Sequence, residues 1–273
     1  MMKTLFFLLF LISVAFAHEG HDSSVPCQEG RADVLNKNVE TLDGSVKKAV
    51  NLLSAKDFYK KFKLTNGLGI KGSSAIENES LDKAAAIIEK MISKRPDIRK
   101  RLIELNAEVV VIAKSENYCD MPEARDLKDK RTFDGRSFCD ICGGGGVIGR
   151  PITTVCEDNL LKTPNDPYHG TEDILTHEFA HTMHVMGMNE GDQKKLTKLY
   201  EEAKTKKIFE KNADNEPTYM MANEQEFFAC LSAAWFGVHN PKSPSISPEL
   251  VDRSSIKEKL PAVYEFMKSI YPE

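Results

Sequence analysis

Apolar and polar positions recur with different periods along the chain, and these periods predict its elements. Residues 31–63 are lysine-rich, and their apolar positions follow helical spacing. A second helix is predicted over 80–94, with Ser80 as its N-cap and Pro96 as its end. The β-branched run at 107–114 predicts a strand. The apolar positions of the first segment are Val34, Leu35, Val39, Leu42, Val46, Val50 and Leu53.

Segments rich in glycine and polar residues separate these elements. Residues 64–79 predict a loop, and residues 115–150 carry turn signals around the glycine run 143–146. No Lys-Ser/Thr pair follows this run, as a phosphate-binding loop would require. We therefore prefer a plain flexible loop to a phosphate cradle. Residues 151–161 predict a further strand.

The next segment, "ILTHEFAHTMHVMG" over 174–187, predicts a helix with two different faces. His177 and His181 are four residues apart, so both imidazoles lie on one face and can reach a single metal ion. Glu178 lies beside the first histidine, where a general base would act on a metal-activated water. The opposite face is apolar and would pack into the core. Its residues are Leu175, Phe179, Met183 and Met186.

A third histidine, His184, also lies on the metal side of this helix. Seven residues along a helix span about 10 Å, so His177 and His184 cannot both bind one zinc ion through bonds of about 2 Å. A role in the pocket wall or behind the ligands and a purely structural or solvated role both remain open. The metzincin pattern is excluded, because His184 and Gly187 stand where it requires Gly and His.

The third ligand must come from another segment, and the best candidate is the predicted helix 221–237. Small residues share one face with Glu226, which is the only carboxylate on that face, and they would let the helix approach another closely. Glu224 points almost to the opposite side. Cys230 lies one turn after Glu226 and is a competing ligand. An even cysteine count favours a disulfide for it instead.

Composition and the first residues narrow the class of protein. The net charge is −4 and no basic stripe is present, so we expect no nucleic-acid partner. Residues 1–17 resemble a secretory signal, with Lys3, a short apolar run and the small-x-small site Ala15-Phe16-Ala17. No later stretch is apolar enough to span a membrane. We therefore expect a secreted, extracellular protein.

The cysteines fit an oxidising compartment. There are six, and an even number favours disulfides among 15 possible pairings, which the sequence leaves open. Cys139 and Cys142 form a single CxxC, so a redox pair or half a zinc knuckle is less favoured than structural disulfides. The six are Cys27, Cys119, Cys139, Cys142, Cys156 and Cys230.

HEFAH at 177–181, followed by Tyr219-x-x-x-Asn223-Glu224-x-Glu226-Phe227-Phe228-Ala229, resembles the catalytic domain of anthrax lethal factor, a gluzincin-type zinc endopeptidase. The similarity covers roughly residues 150–240. It implies that zinc is bound by His177, His181 and Glu226, with Glu178 as general base and Tyr219 assisting the tetrahedral intermediate.

The resemblance has limits along the chain. The family places a carboxylate one turn after the ligand glutamate, where this chain has Cys230. The network that orients the histidines must therefore differ. The N-terminal third does not resemble the toxin's other domains, so neither a toxin role nor its kinase substrates are carried over.

These observations predict an α+β, zincin-like fold. A small mixed sheet would lie over the HExxH helix, and a second helix would supply the third ligand. The predicted division is a signal peptide at 1–17, a mostly helical N-terminal region at 18–106 and a metallopeptidase domain at 107–273. Strand 151–161 would lie at the sheet edge above the cleft and pair with an extended substrate.

The predicted function is that of a secreted zinc-dependent endopeptidase. One Zn²⁺ per chain would activate a water, with Glu178 as the general base, and the partner would be a peptide or protein substrate. Because the sequence carries no oligomer signal, a monomer is expected. The alternative is a secreted zinc-binding interaction module without proteolytic activity. Its mark would be loss of Glu178 or Tyr219, and both are present.

Overall fold

The fold combines a small sheet with packed helices. In this computed structural model the described residues are 57–132, 135–170, 172–240, 243 and 246–273. The strands are β1 (Lys61–Thr65), β2 (Leu68–Gly72), β3 (Glu108–Ile112) and β4 (Ile152–Cys156). The helices are α1 (Asn78–Ile92), α2 (Pro96–Glu104), α3 (Glu157–Leu161), α4 (Ile174–Thr182), α5 (Glu190–Thr205), α6 (Glu224–Phe236), α7 (Arg253–Lys259) and α8 (Pro261–Ile270).

The sheet is mixed and has the order β1-β2-β3-β4. β1 and β2 pair in antiparallel fashion, whereas β2–β3 and β3–β4 are parallel. The predicted α+β class is confirmed at this level. β2 and β3 lie on opposite sides of residue 106, so the sheet joins segments from both sides of the predicted division there. The domain division itself remains a prediction.

Residues 64–79 are not the loop that their composition predicted, because β2 lies within them. Asn66 and Gly67 connect β1 to β2 with φ values of 49° and 85°. Positive φ at both positions suits the tight turn of a two-residue hairpin, and Asn-Gly is its preferred pair. The predicted helix over 31–63 is wrong at its end, where β1 begins, and its first part lies outside the described residues.

The two faces of the sheet are covered differently. On one face, Val109 and Val111 join the main core, which also contains buried residues of α1, α4 and α6. On the other face, Val110 and Ile112 pack in a smaller cluster with the short 3₁₀ turns that follow β3. Tyr118 belongs to this second cluster. The main core therefore positions α4 and α6 beneath the sheet.

The segment 151–161 is a strand only in its first half. β4 ends at Cys156, and Glu157 begins α3. β4 lies at the edge of the sheet, as predicted. Its outward edge is already occupied at Thr154, which exchanges two backbone hydrogen bonds with Gly144, at 2.9 and 3.4 Å.

Two disulfides hold the segment between β3 and α3. They join Cys119 to Cys139 and Cys142 to Cys156. Cys230 is a buried free thiol, so the expectation that it forms a disulfide is wrong. Cys27 lies outside the described residues. Among the described helices, none is long and apolar enough to cross a membrane.

Candidate metal centre

The HExxH segment forms α4, and local side chains fix where it begins. The carboxylate of Asp173 accepts a hydrogen bond from the Thr176 N–H at 2.7 Å and so caps the helix. The apolar face is buried in the main core, as predicted. After Thr182 the backbone continues as a π-helical turn over Met183–Gly187.

The second helix, α6, is fixed just before the residue predicted as the third ligand. The side chain of Asn223 accepts hydrogen bonds from the N–H groups of Gln225 and Glu226, each at 2.9 Å. Ala229 and Ala233 are fully buried, and α6 packs against α4. Glu226 therefore projects from the first turn of a capped helix toward α4.

The structure brings His177, His181 and Glu226 together. The Nε2 atoms of the two histidines are 2.9 Å apart. Glu226 Oε2 lies 3.2 Å from Nε2 of His177 and 3.5 Å from Nε2 of His181. All three residues are buried, and their atoms form the group among the described residues that could hold a metal ion.

Electrostatics favours the ligand forms of His177 and Glu226. Burial lowers the pKa of His177 to about 4, so its imidazole is neutral at pH 7. Burial alone would raise the pKa of Glu226, but the neighbouring His181 and His177 lower it below the usual range. Two imidazoles and one carboxylate are a common ligand set for catalytic zinc.

Glu178 lies in the same buried region. Its pKa is raised to about 8, chiefly by burial; His181 and Arg136 lower the pKa, and the charges of Glu226 and Glu172 add to the rise. Its Oε2 atom is buried and has no hydrogen-bond partner among the described residues. A carboxyl group with a pKa in this range exchanges its proton near neutral pH.

Tyr219, the other predicted catalytic residue, also reaches the centre. It begins a 3₁₀ turn at Tyr219–Met221, just before α6. Its hydroxyl donates a hydrogen bond to Glu226 Oε1 at 3.0 Å. The structure therefore places the hydroxyl on the carboxylate oxygen that faces away from the histidine contacts.

His184 is buried in the π-helical turn and does not join the three converging side chains. Its Nε2 lies 3.5 Å from Oε1 of Glu224, the glutamate two residues before Glu226. Its ring meets Phe228 edge-on, with centroids 5.8 Å apart. A solvated role for His184 is therefore wrong, because its side chain is buried and contacts α6.

The glycine run is a loop, as predicted, but it packs directly on α4. A Cβ atom on Gly143 would lie 2.8 Å from Cγ of Glu178, and one on Gly145 would lie 2.5 Å from Cβ of His181. Side chains at these positions would therefore collide with the helix. The signal in the sequence was the run itself, which admits close backbone approach.

Two further polar features near the centre were not predicted from the sequence. The Thr182 hydroxyl accepts from the Gly146 N–H at 2.7 Å and pairs with the Thr153 hydroxyl at 2.6 Å, which joins α4 to the glycine run and β4. Glu172 is buried, and burial together with the charge of Glu226 raises its pKa to about 7. No pattern in the sequence predicts that Glu172, a single residue before α4, is buried.

Comparisons with known proteins add little to this geometry. No family model matches the chain, and no curated protein matches it. A solved structure of the Pro-Pro endopeptidase PPEP-2 from Paenibacillus alvei is similar over 72% of this chain and 95% of that chain, with 19% identity and a TM-score of 0.48. This similarity establishes neither a family nor an activity.

Proposed function

We propose that this chain is a secreted zinc metallopeptidase. The observation that carries the proposal is the convergence of His177, His181 and Glu226 in a buried group that could hold a metal, with the unpaired carboxylate of Glu178 beside it. A binding module needs only the three ligands. The raised pKa of Glu178 suits a proton acceptor and favours an enzyme.

The three ligand atoms fit zinc in spacing as well as in type. Tetrahedral zinc with bonds of about 2.0–2.1 Å places neighbouring ligand atoms about 3.3 Å apart. The separations in the protein are 2.9, 3.2 and 3.5 Å. Two imidazole nitrogens and one carboxylate oxygen would leave a fourth position open, as catalytic zinc sites require.

Bound zinc would supply a Lewis acid that activates water and polarises the scissile carbonyl. Glu178 would accept the proton of the attacking water at Oε2 and pass it to the leaving amine. The Tyr219 hydroxyl, already aimed at the centre by Glu226, would donate a hydrogen bond to the developing oxyanion. These roles follow the residues that match the lethal factor pattern.

The substrate would be an extended peptide lying along the glycine run. At Thr154 the edge of β4 is paired with Gly144, so the edge expected to receive a substrate is occupied there. The run lies against Glu178 and His181 of α4. An added strand would therefore pair with glycine backbone close to the reacting centre.

Secretion and a gluzincin-type family membership complete the proposal. Two disulfides indicate an oxidising compartment, in agreement with the signal-like residues 1–17. The HEFAH and NEQEFFA stretches carry the resemblance to lethal factor. The alternative, a zinc-binding module without proteolysis, shares the ligands and differs only in the use of Glu178.

Peptide-library cleavage by zinc-loaded wild type and Glu178→Gln separates the two. We expect the wild type to cleave and the variant to lose at least about a thousandfold in kcat, because it retains the ligands but lacks the base. Glu190→Gln makes the same chemical change at an exposed position and serves as the control. Equal activity of Glu178→Gln and wild type would overturn the mechanism.

The same assay tests the binding-module alternative. Zinc bound in one equivalent by the wild type, without cleavage of any library peptide, would favour that module over an endopeptidase of broad specificity. The preferred bond, if cleavage occurs, would define the substrate class directly.

A further inference from the structure

We infer that His184 is a positioning residue, which fixes the orientation of α6 and thereby that of the Glu226 carboxylate. The inference rests on the proposed metal site and assigns a role to a buried histidine near it that is not among the proposed ligands. Three features support this role: the position of His184 after α4, the contacts of its ring, and the side of α6 that these contacts reach.

His184 follows the ligand helix directly, in the π-helical turn Met183–Gly187. The Gln193 side chain donates a hydrogen bond to its backbone carbonyl at 3.3 Å, so α5 supports this turn. Nδ1 is buried and has no partner among the described residues. The polar interaction of the ring with the described protein therefore runs through Nε2, toward Glu224.

The ring of His184 contacts α6 at two residues one turn apart. Nε2 lies 3.5 Å from Glu224 Oε1, and the ring edge meets Phe228. Contact at two levels of a helix restrains sliding along its axis as well as rotation about it.

These contacts lie on a side of α6 different from that of Glu226. Two residues along a helix correspond to a rotation of about 200°, so Glu224 and Glu226 project to nearly opposite sides. Of the three proposed metal ligands, only Glu226 lies on α6. His184 holds α6 through the other side, and a rotation that withdrew Glu226 from the histidines would break the contact with Glu224.

The test measures zinc affinity, not activity. His184→Phe keeps an aromatic ring against Phe228 but removes Nε2, whereas His184→Gln restores an N–H donor that can reach Glu224. We expect His184→Phe to raise the zinc Kd about tenfold or more, as loss of a side chain that orients a ligand typically does. His184→Gln should recover most of that loss.

A second readout reports geometry directly. The visible absorption spectrum of the cobalt-substituted protein should change in His184→Phe and return toward wild type in His184→Gln. Glu224→Gln should change zinc affinity in the same direction, and the double variant should show less than the sum of the two effects. Glu190→Gln, in an exposed ion pair, is the control and should change nothing.

The outcomes distinguish this inference from the proposed function. Unchanged zinc Kd and cobalt spectrum in both His184→Phe and Glu224→Gln would overturn the positioning role while leaving the metal site intact. A wild-type chain that binds no zinc would overturn the site itself and this role with it. Should His184→Phe fail to fold, as judged by thermal unfolding of the metal-free protein, Glu224→Gln decides the question.

Discussion

Two buried glutamates of this protein, Glu157 and Glu178, differ in the hydrogen-bond partners of their carboxylates. Both are almost fully buried, with exposures of 1% and 2%. Glu157 Oε1 accepts hydrogen bonds from the Ser80 hydroxyl, at 2.7 Å, and from the Glu77 N–H. Its Oε2 accepts one from the Lys114 N–H at 3.4 Å. Each of its oxygens therefore has a donor.

Glu178 differs because Oε2 has no donor among the described residues. Burial raises the pKa of Glu178 to about 8, because no donor to Oε2 offsets the cost of burying its charged form. Glu157 connects the start of α1 to the end of β3, whereas Glu178 adjoins three side chains that can hold a metal. Burial alone therefore does not distinguish the two glutamates, whereas the missing partner of Glu178 Oε2 does.

The largest expected effect concerns the pH dependence of stability. An acid whose folded pKa exceeds its unfolded value binds more protons when folded. The free energy of unfolding therefore falls as pH rises from the unfolded pKa of 4.5 through about 8. Between pH 5 and pH 8, the free energy of unfolding of the metal-free wild type should fall by about 3 kcal/mol more than that of metal-free Glu178→Gln.

Urea unfolding of both metal-free proteins across this range measures the difference. His177 adds an opposite dependence at lower pH, because its folded pKa is lowered to about 4. Its stabilisation is lost as pH falls from its unfolded value toward 4, and this contribution is common to both proteins. Parallel pH profiles of the wild type and Glu178→Gln would contradict the assigned state of Glu178.

Glu157→Gln should have the converse effect. The NH₂ group of glutamine replaces one of the two accepting oxygens, so the donors on that side lose their acceptor and face another donor. We expect a loss of about 2 kcal/mol in the free energy of unfolding at pH 7, from denaturant titration. Zinc affinity of the folded protein should be unchanged. A stable Glu157→Gln with weakened zinc binding would remove the contrast between the two glutamates.

A smaller effect is expected at the glycine run. Gly145→Ala places Cβ 2.5 Å from His181 Cβ, a contact that no side-chain rotation relieves. We expect a loss of about 1–2 kcal/mol in stability, together with weaker zinc binding. Gly144→Ala is the matched control, since its Cβ meets the Tyr118 hydroxyl at 3.1 Å and not α4. Equal zinc affinity in the two variants would contradict the packing of this run on the site.

The sequence predicted the centre better than its surroundings, for a physical reason. Helical geometry relates His177, Glu178 and His181 at short range, so their common face follows from spacing alone. Glu226 followed from being the single carboxylate on a small-residue face. Each of these predictions uses only local periodicity, and the structure brings all three ligand candidates together.

Contacts between distant segments were not accessible in the same way. Tertiary structure determines the packing of the glycine run on α4 and the contact between His184 and Glu224. A helical projection shows only which residues of one helix share a face, so it could not predict these contacts. The hairpin at Asn66-Gly67 is a different failure, because its turn signal was present and the polar composition of 64–79 outweighed it. Cys230 was assigned to a disulfide by parity, yet it is free and buried.

The most direct test of the central claim is anomalous diffraction at the zinc edge from crystals of the protein grown with zinc. We expect one strong peak per chain, about 2.0–2.1 Å from Nε2 of His177, from Nε2 of His181 and from a carboxylate oxygen of Glu226. A peak coordinated by other residues, or no peak at these three side chains, would contradict the metal centre and the function built on it.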